Sequence, residues 1–454
     1  MYLLLRASND DLAANRLQDE IIGTYLFRVL RDEWGEDFDS FMSKKVIVIP
    51  GDVSLENLGL KDEDLKNEML KEIEVLVNFA ASTKFDERFD ISMGVNTTGA
   101  LNVLNFAKSC HEINVLLHIS TAYVSGEIAD GEAVKEKPFE MTQSLKKNSK
   151  LDIHVEMNLL EKKLDELRAK NASEITIKYA MKDYGLERAN LYGWPNTYVF
   201  TKAMGEMLLV HYKDNVPLII IRPTMVTSTY KDPFPGWIEG IRTVDSVICG
   251  YGQGKLACFL GHPKTILDMI PADMVINCVI TAIVAHSNQV SKNFIYHVAS
   301  SSRNPLRISD VINITFHYFT KSPLKSKNGT PIIVSKMQLL TSMAAFQSYM
   351  KNRYVLPLKV LNVVNEVFCH FFQDVYDDNF NKIQKVIGLG KMYKPYVFFK
   401  AVFDDTNTEN LRRETKRHLN KEAVGLGFDP YSIDWTDYMM NTHIPGLTKY
   451  ALMK

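Results

Sequence analysis

NTYVFTKAMGEMLLVHYKDNVPLIIIRPT, residues 196–224, joins a helical pattern to a strand pattern. Thr197–Tyr212 has helical spacing, and PLIIIRPT (217–224) is a short apolar run that ends at a proline. The same alternation runs from residue 1 to about residue 300. Further strand candidates are YLLL (2–5), KVIVIPGDV (45–53), EVLVNFAA (74–81), NVLLHIST (114–121) and NFIYHVAS (293–300), with helical windows at Leu12–Trp34 and Phe89–His111. Strands alternating with helices imply βαβ units and a parallel sheet. The runs are mostly apolar rather than alternating, as expected of strands buried on both faces. The fold class expected is therefore α/β, a doubly wound parallel sheet of Rossmann type.

Composition narrows the function. Of 454 residues, 46% are apolar and 24% charged, which excludes bulk disorder and suits a folded chain of two or three domains. Lys+Arg number 53 and Asp+Glu 54, a balance that argues against a nucleic-acid binder driven by bulk charge. The cysteines, Cys110, Cys249, Cys258, Cys278 and Cys369, are odd in number and form no C-x-x-C, so free thiols in a reducing, intracellular compartment are expected. The histidines show no metal-ligand spacing, and no metal is expected. The most apolar window, Cys278–Ala285, falls short of the roughly 18 residues of a membrane span. MYLLLRASNDD has no basic region ahead of its apolar residues and is too short for a signal peptide. Lys321–Asn328 (KSPLKSKN) looks like a connection, and beyond it the strand signal fades. Two domains follow, 1–330 with the sheet and 331–454 mainly helical.

Tyr198 and Lys202 stand four residues apart, on one helix face. A nearby ammonium favours phenolate and lowers a tyrosine pKa from its usual value of about 10, and such a tyrosine donates a proton to a carbonyl under reduction. Tyr251/Lys255, Tyr396/Lys400 and Tyr450/Lys454 share the spacing, and a surface pair is the ordinary reading of a bare match. Tyr198 differs because its helix leads into LIIIRPT and follows a strand ending in hydroxyls, HISTAYVSG (118–126). Ser120 and Thr121 there occupy a strand's carboxyl end, where open α/β sheets bind ligands. A hydroxyl in that place hydrogen-bonds a carbonyl oxygen and stabilises an oxyanion. Read alone, the two are β-compatible residues ending a strand.

Taken together these motifs resemble the extended short-chain dehydrogenase/reductases. STAYVSG resembles their active-site strand end, with Thr121 in the hydroxyl place, and Tyr198 and Lys202 match their Tyr-x-x-x-Lys. Asn78, Ala80 and Ala81 in VNFAAS match the strand end beside the cofactor, and Asp52 and Val53 in PGDV the pair facing adenine. Asn96 lies in VNTTGALNVL, similar to the next helix, and Arg222, Pro223 and Thr224 match the turn after a later strand. LYGWPNTYVFTKAMGE, IRPTMVTSTYKDPFPGWIEG, VDSVICGYGQGKL, DMIPADMV, VFDDTNTENLRR, FDPYSIDW and HIPGLTKY narrow the resemblance to eukaryotic fatty acyl-CoA reductases, the plant branch in particular. It covers essentially the whole chain and accounts for a helical insertion over 127–190.

The resemblance implies reduction of a long-chain acyl-CoA through an aldehyde to a primary alcohol with NADPH, in wax- or suberin-type lipid metabolism. It implies that Tyr198, Thr121 and Ser120 act on the carbonyl oxygen, and that Lys202 binds the nicotinamide ribose and depresses the Tyr198 pKa. Arg6 is read as meeting the adenosine 2′-phosphate, the mark of NADP, or as a solvated arginine. Tyr354–Phe372 (YVLPLKVLNVVNEVFCHFF) is read as a core helix, with an acyl-tunnel wall or a peripheral membrane contact as alternatives. Family likeness places such enzymes at the endoplasmic reticulum surface. One departure stands out. Family members carry a strand and a G-x-x-G-x-x-G loop ahead of the strand that LLLRA ends, whereas the first glycine here is Gly23. With that central strand missing, its neighbours lose their pairing. Two readings follow: a reductase whose first segment lies outside this sequence, or a non-catalytic paralogue that binds acyl-CoA or a partner. A third, another extended reductase such as an epimerase, fits the C-terminal motifs less well.

Overall fold

A computed structural model of the chain describes residues 1–127, 132–147, 149–286, 293–367, 370–371, 373–418 and 426–452. All six strands read from the sequence are present. β1 (Tyr2–Arg6) pairs in parallel with β2 (Ile47–Gly51), Tyr2 opposite Ile47. β3 (Val75–Asn78), β4 (Val115–Ile119), β5 (Leu218–Pro223) and β6 (Asn293–Val298) form a second parallel sheet, in the order β6-β5-β4-β3. Neither the second edge of β1 nor that of β3 carries a strand partner among the described residues. β1 and β3 are not paired with each other, as expected of them from the sequence.

Burial on both faces holds only in part. Leu116, Leu117 and Ile219–Ile221 are fully buried, but β1 is half-buried and Val75 of β3 is exposed. β4 and β5 have strands on both sides, whereas β1 and β3 are each covered along one edge. The predicted helix Leu12–Trp34 is broken into Asp10–Leu17, Gln18–Ile22, Tyr25–Phe27 and Arg28–Trp34. The break falls at Gly23, where a Cβ would overlap the Gln18 carbonyl.

The helices that matter for the site are α1 (Gly99–Ser109), α2 (Ile153–Ala169), α3 (Glu174–Tyr192), α4 (Thr197–Tyr212), α5 (Thr243–Gly252), α6 (Ala272–His286), α7 (Ile308–Lys321), α8 (Leu356–Val367) and α9 (Gln373–Val397). α2 and α3 lie in the predicted insertion, of which residues 128–131 and 148 are outside the described set. Past residue 330 the described residues are mainly helical, with two short strands among them that the sequence did not signal. Gln338–Leu340 pairs with Cys258–Leu260, and Val402–Phe403 with Ala133–Val134. Both stitch the C-terminal part onto the first, and their pairing is decided by distant neighbours rather than by local pattern. Cys110, Cys249, Cys258 and Cys278 are buried free thiols; Cys369 lies outside the described residues.

α8 corrects its sequence reading as a core helix. Leu358 and Asn365 point inward, whereas Leu356, Val360 and Val363 are 43%, 64% and 60% exposed. These three recur at i, i+4 and i+7, so they form one outward apolar stripe.

α4 is buried along nearly its whole length. Two contacts seat it. Gly205 rides against the turn before α1, where a Cβ would overlap the Asn96 carbonyl oxygen. Glu206, fully buried, takes Arg222 of β5 in a two-pronged ion pair, Nε to Oε1 at 3.0 Å and Nη2 to Oε2 at 2.5 Å. Removing one member strands a buried charge. Glu206→Gln is expected to cost about 3–5 kcal/mol, read as a lower urea-unfolding midpoint, and the double change to two methionines to recover much of that loss.

Candidate active site

Tyr198, Lys202 and Glu206 recur at i, i+4 and i+8 and turn one stripe of α4 toward the sheet. The helix starts at Asn196, whose Oδ1 accepts from the Val199 N–H at 3.1 Å while its Nδ2 donates to Tyr396 Oη of α9 at 2.7 Å. The C-terminal part therefore holds the end of the helix that carries Tyr198. Opposite, Ser120 and Thr121 directly follow the end of β4. The Thr121 hydroxyl reaches the Pro223 carbonyl at 3.5 Å and accepts from the Tyr123 N–H at 3.4 Å. Ser120 Oγ is buried with no hydrogen-bond partner. A buried hydroxyl without a partner costs free energy.

The electrostatics overturn one sequence expectation. Burial pushes the Tyr198 phenol up to about 12, with the Thr121 hydroxyl acting the other way. Lys202 does not depress it. Its Nζ donates to the Ile119 carbonyl at 2.6 Å and stands 3.4 Å from His118 Nε2, and burial brings its own pKa down to about 8. Desolvation outweighs the charge effect that i,i+4 spacing suggested.

The other predicted residues divide by whether their side chains are already committed. Asn96 clamps the loop after β3 to α4: its Oδ1 accepts from Ser82 N–H, and its Nδ2 donates to the Ser82 carbonyl and to Thr201 Oγ1. Arg222 is committed to Glu206, and the Thr224 hydroxyl donates to Asp268 at 2.8 Å. Asp52 accepts from both the amide and the hydroxyl of Ser54, and the Val53 carbonyl accepts from Asn102. These bonds tie Asn96, Arg222 and Thr224 to neighbouring elements and brace the walls of the site. Asn78, Ala80 and Ala81 end β3 beside the site, with Ala80 N–H bonded to Asn78 Oδ1 at 3.0 Å. Pro223 ends β5 and offers its carbonyl to Thr121. Arg6 is exposed at the end of β1.

Tyr198 and Thr121 open onto a cavity of about 750 Å³. Its walls are mostly apolar: Ile248 of α5, Phe259, Leu267, Ile308 and Val311 of α7, Met337 and Leu339, and Met392, Tyr393 and Val397 of α9. No described residue of Tyr354–Phe372 lines it, so the tunnel-wall reading of that segment does not hold for those residues. Phe85 stacks on both Tyr198 and Tyr396, at centroid distances of 5.9 and 5.2 Å, and closes the polar side.

A second constellation stands beside the cavity. Ser228 Oγ lies 3.0 Å from His443 Nδ1, and His443 Nε2 lies 3.0 Å from Asp245 Oδ1. The connectivity is that of a hydrolytic triad. Ser228 and His443 are fully buried, however, and Tyr438 Oη also contacts the serine at 3.1 Å. No substrate reaches this hydroxyl, and the network fastens the C-terminal segment to α5, a wall of the cavity.

Sequence reasoning missed His118, Glu206, Phe85 and Tyr396. A histidine inside the apolar run VLLHI and a glutamate one turn past Lys202 were the available signals. Phe85 had none, and Tyr396 showed only its spacing to Lys400, because only folding brings α9 to this end of the sheet.

Two families match the chain: the NAD-binding domain of the Male sterility protein over residues 1–279, and the Sterile domain of the Male sterility protein over residues 353–454. The chain is 50% identical over 453 residues to fatty acyl-CoA reductase 1 of Arabidopsis thaliana and 49% identical over 453 to the alcohol-forming fatty acyl-CoA reductase of Simmondsia chinensis. Each alignment covers 100% of this chain and 91% of the relative. Among solved structures, the terminal R domain of the myxalamid PKS-NRPS pathway aligns with a TM-score of 0.57 at 14% identity, over 98% of this chain and 83% of that one, a likeness of fold. Identity of 50% and 49% across the whole of this chain, with both Male sterility domains in order, shows that the chain belongs to the fatty acyl-CoA reductase family.

Proposed function

We propose that this chain reduces long-chain fatty acyl-CoA through the aldehyde to the primary alcohol, with NADPH as reductant. The observation that carries the reading is the pairing of Tyr198 and Thr121 with a large apolar cavity. A volume of about 750 Å³ falls within the range of small-molecule sites, and apolar walls suit an acyl chain while the hydroxyls suit its carbonyl.

The cofactor fits this end of the sheet in part. Lys202 has one carbonyl acceptor for its N–H groups, which leaves donors for a ribose, and the strand ends carrying Asn78, Ala80 and Ala81 flank the same place. No glycine precedes Gly23 to form a phosphate cradle in this sequence. Arg6 is the residue we assign to the 2′-phosphate, which favours NADPH over NADH. Bound NADPH supplies the hydride for both reductions. Thr121 and Tyr198 hold the carbonyl oxygen as its charge grows, in an enclosed site where such donors act strongly. Tyr198, fully protonated at neutral pH, then gives its proton to that oxygen. Lys202, as the ammonium, orients the ribose. The buried cysteines have thiols pushed up by burial and stand outside this chemistry.

We assign the outward stripe Leu356, Val360 and Val363 of α8 to contact with a membrane surface, flanked by exposed Lys351, Arg353 and Lys359. No helix of the described residues is long and apolar enough to cross a membrane.

The test is incubation of the purified chain with a long-chain acyl-CoA and NADPH, with alcohol measured by gas chromatography. Alcohol supports the proposal; no alcohol and no NADPH oxidation would overturn it in favour of a non-catalytic binding protein. In the active protein, Tyr198→Phe is expected to lower kcat/KM by about 10²–10⁴-fold, and undiminished turnover would sink the proton-donor role. Activity should fall as pH rises through about 8, where Lys202 loses its charge, while Tyr198 stays protonated throughout. A pH–rate profile with no alkaline limb would remove the ammonium from the mechanism.

A further inference from the structure

Behind Lys202 the side chains of His118 and Asn78 continue a buried line for which the reaction as described has no role. Asn78 of β3, His118 of β4 and Lys202 of α4 are 5%, 1% and 1% exposed. Asn78 Nδ2 stands 3.2 Å from His118 Nδ1, and His118 Nε2 stands 3.4 Å from Lys202 Nζ. The amide orientation is set by a third bond, Ala80 N–H to Asn78 Oδ1 at 3.0 Å, since that backbone group can only donate.

Donor and acceptor counting then fixes the rest. Asn78 Nδ2 donates, so His118 Nδ1 accepts and the ring hydrogen sits on Nε2. That hydrogen points at Lys202 Nζ. An ammonium has three donors and no acceptor, so it cannot receive it. In this arrangement Lys202 is the neutral amine, accepting from His118 and donating to the Ile119 carbonyl. Charging Lys202 requires the opposite pattern. One proton enters from water onto Nζ, the imidazole proton passes from Nε2 to Nδ1, and the Asn78 amide turns over so that Oδ1 accepts from Nδ1. Ala80 N–H is then released to another acceptor.

We propose that Asn78, His118 and Lys202 form a tautomer relay that ties the charge of Lys202 to what the Ala80 amide donates to at the end of β3. His118 is a positioning residue in it and never carries charge. An anionic or hydroxyl oxygen received by Ala80 N–H at this strand end draws the relay to its charged-lysine state, so ligand binding and the readiness of Lys202 are one event. The consequence for turnover rests on the reductase reading above; the relay itself does not. The titratable groups around Lys202 are His118 from β4, Tyr198 and Glu206 from its own helix, and Arg222 of β5 through its pair with Glu206. Burial holds His118 well below the ordinary histidine range and Lys202 at about 8, which makes lysine the member that titrates.

The experiment uses the full chain with ¹⁵N-labelled histidine and reads the two ring nitrogens by NMR as pH is raised from neutral to alkaline, without cofactor. The His118 signals are identified by their loss in His118→Gln, or by their displacement in Asn78→Asp if that variant does not fold. Expected is the Nδ1–H tautomer at neutral pH and the Nε2–H tautomer once Lys202 is neutral. Asn78→Asp, which can only accept from Nδ1–H, should hold that tautomer and move the change to higher pH. Lys202→Met should leave Nε2–H throughout. One unchanging tautomer in the unaltered protein, or a doubly protonated ring, would overturn the relay. No turnover is measured, so this failure is distinct from a failure of the reductase reading.

Discussion

The buried pair between Glu206 and Arg222 is the contact on which the rest of the site depends. It joins the middle of α4 to β5, inside a core where neither charge meets water. Because Tyr198 and Lys202 precede Glu206 by two helical turns and one, seating Glu206 also sets the height and rotation of both. Gly205 allows the same helix to touch the turn that carries Asn96, and a single methyl group there would force the two apart. Asn196 completes the arrangement by accepting a helix amide and donating to Tyr396. The phenol is thus held at three points along one helix, and its position over the end of β4 follows from them.

This arrangement makes the chemistry one of burial. A phenol and an ammonium brought together in water would lower the phenol's pKa. Here both are withdrawn from solvent, so each moves toward its neutral form: the phenol up to about 12, the lysine down to about 8. The result is a firmly protonated acid beside a base whose charge depends on its neighbours. The C-terminal part supplies α9 as a wall of the cavity, and it is fastened through His443, Asp245 and Ser228. The two parts therefore share one cavity.

Much of this was legible in the sequence, for a specific reason. Apolar runs of buried parallel strands, such as LIIIRPT and VLLHI, are long enough to read without neighbours, and β4 and β5 lie where they were expected. The hydroxyls of Ser120 and Thr121 and the spacing of Tyr198 and Lys202 are local patterns, so they too could be read. The direction of the Tyr198 shift was not, because spacing records proximity and says nothing of desolvation. Nor was the commitment of Asn96, Arg222 and Thr224 to protein partners, since those partners lie far away in the chain. α8 misled for a related reason: an apolar helical stripe looks the same whether it faces a core or faces outward.

The sequence by itself determined the alternation of strand and helix and the residues with chemistry at the strand ends. These are properties of period and order along the chain. Only the tertiary structure decided that Tyr396 and Phe85 reach Tyr198, and that His118 stands between an amide and an amine. Those depend on which groups are brought within hydrogen-bonding distance and how completely water is excluded from them. Neither quantity exists until the chain has packed.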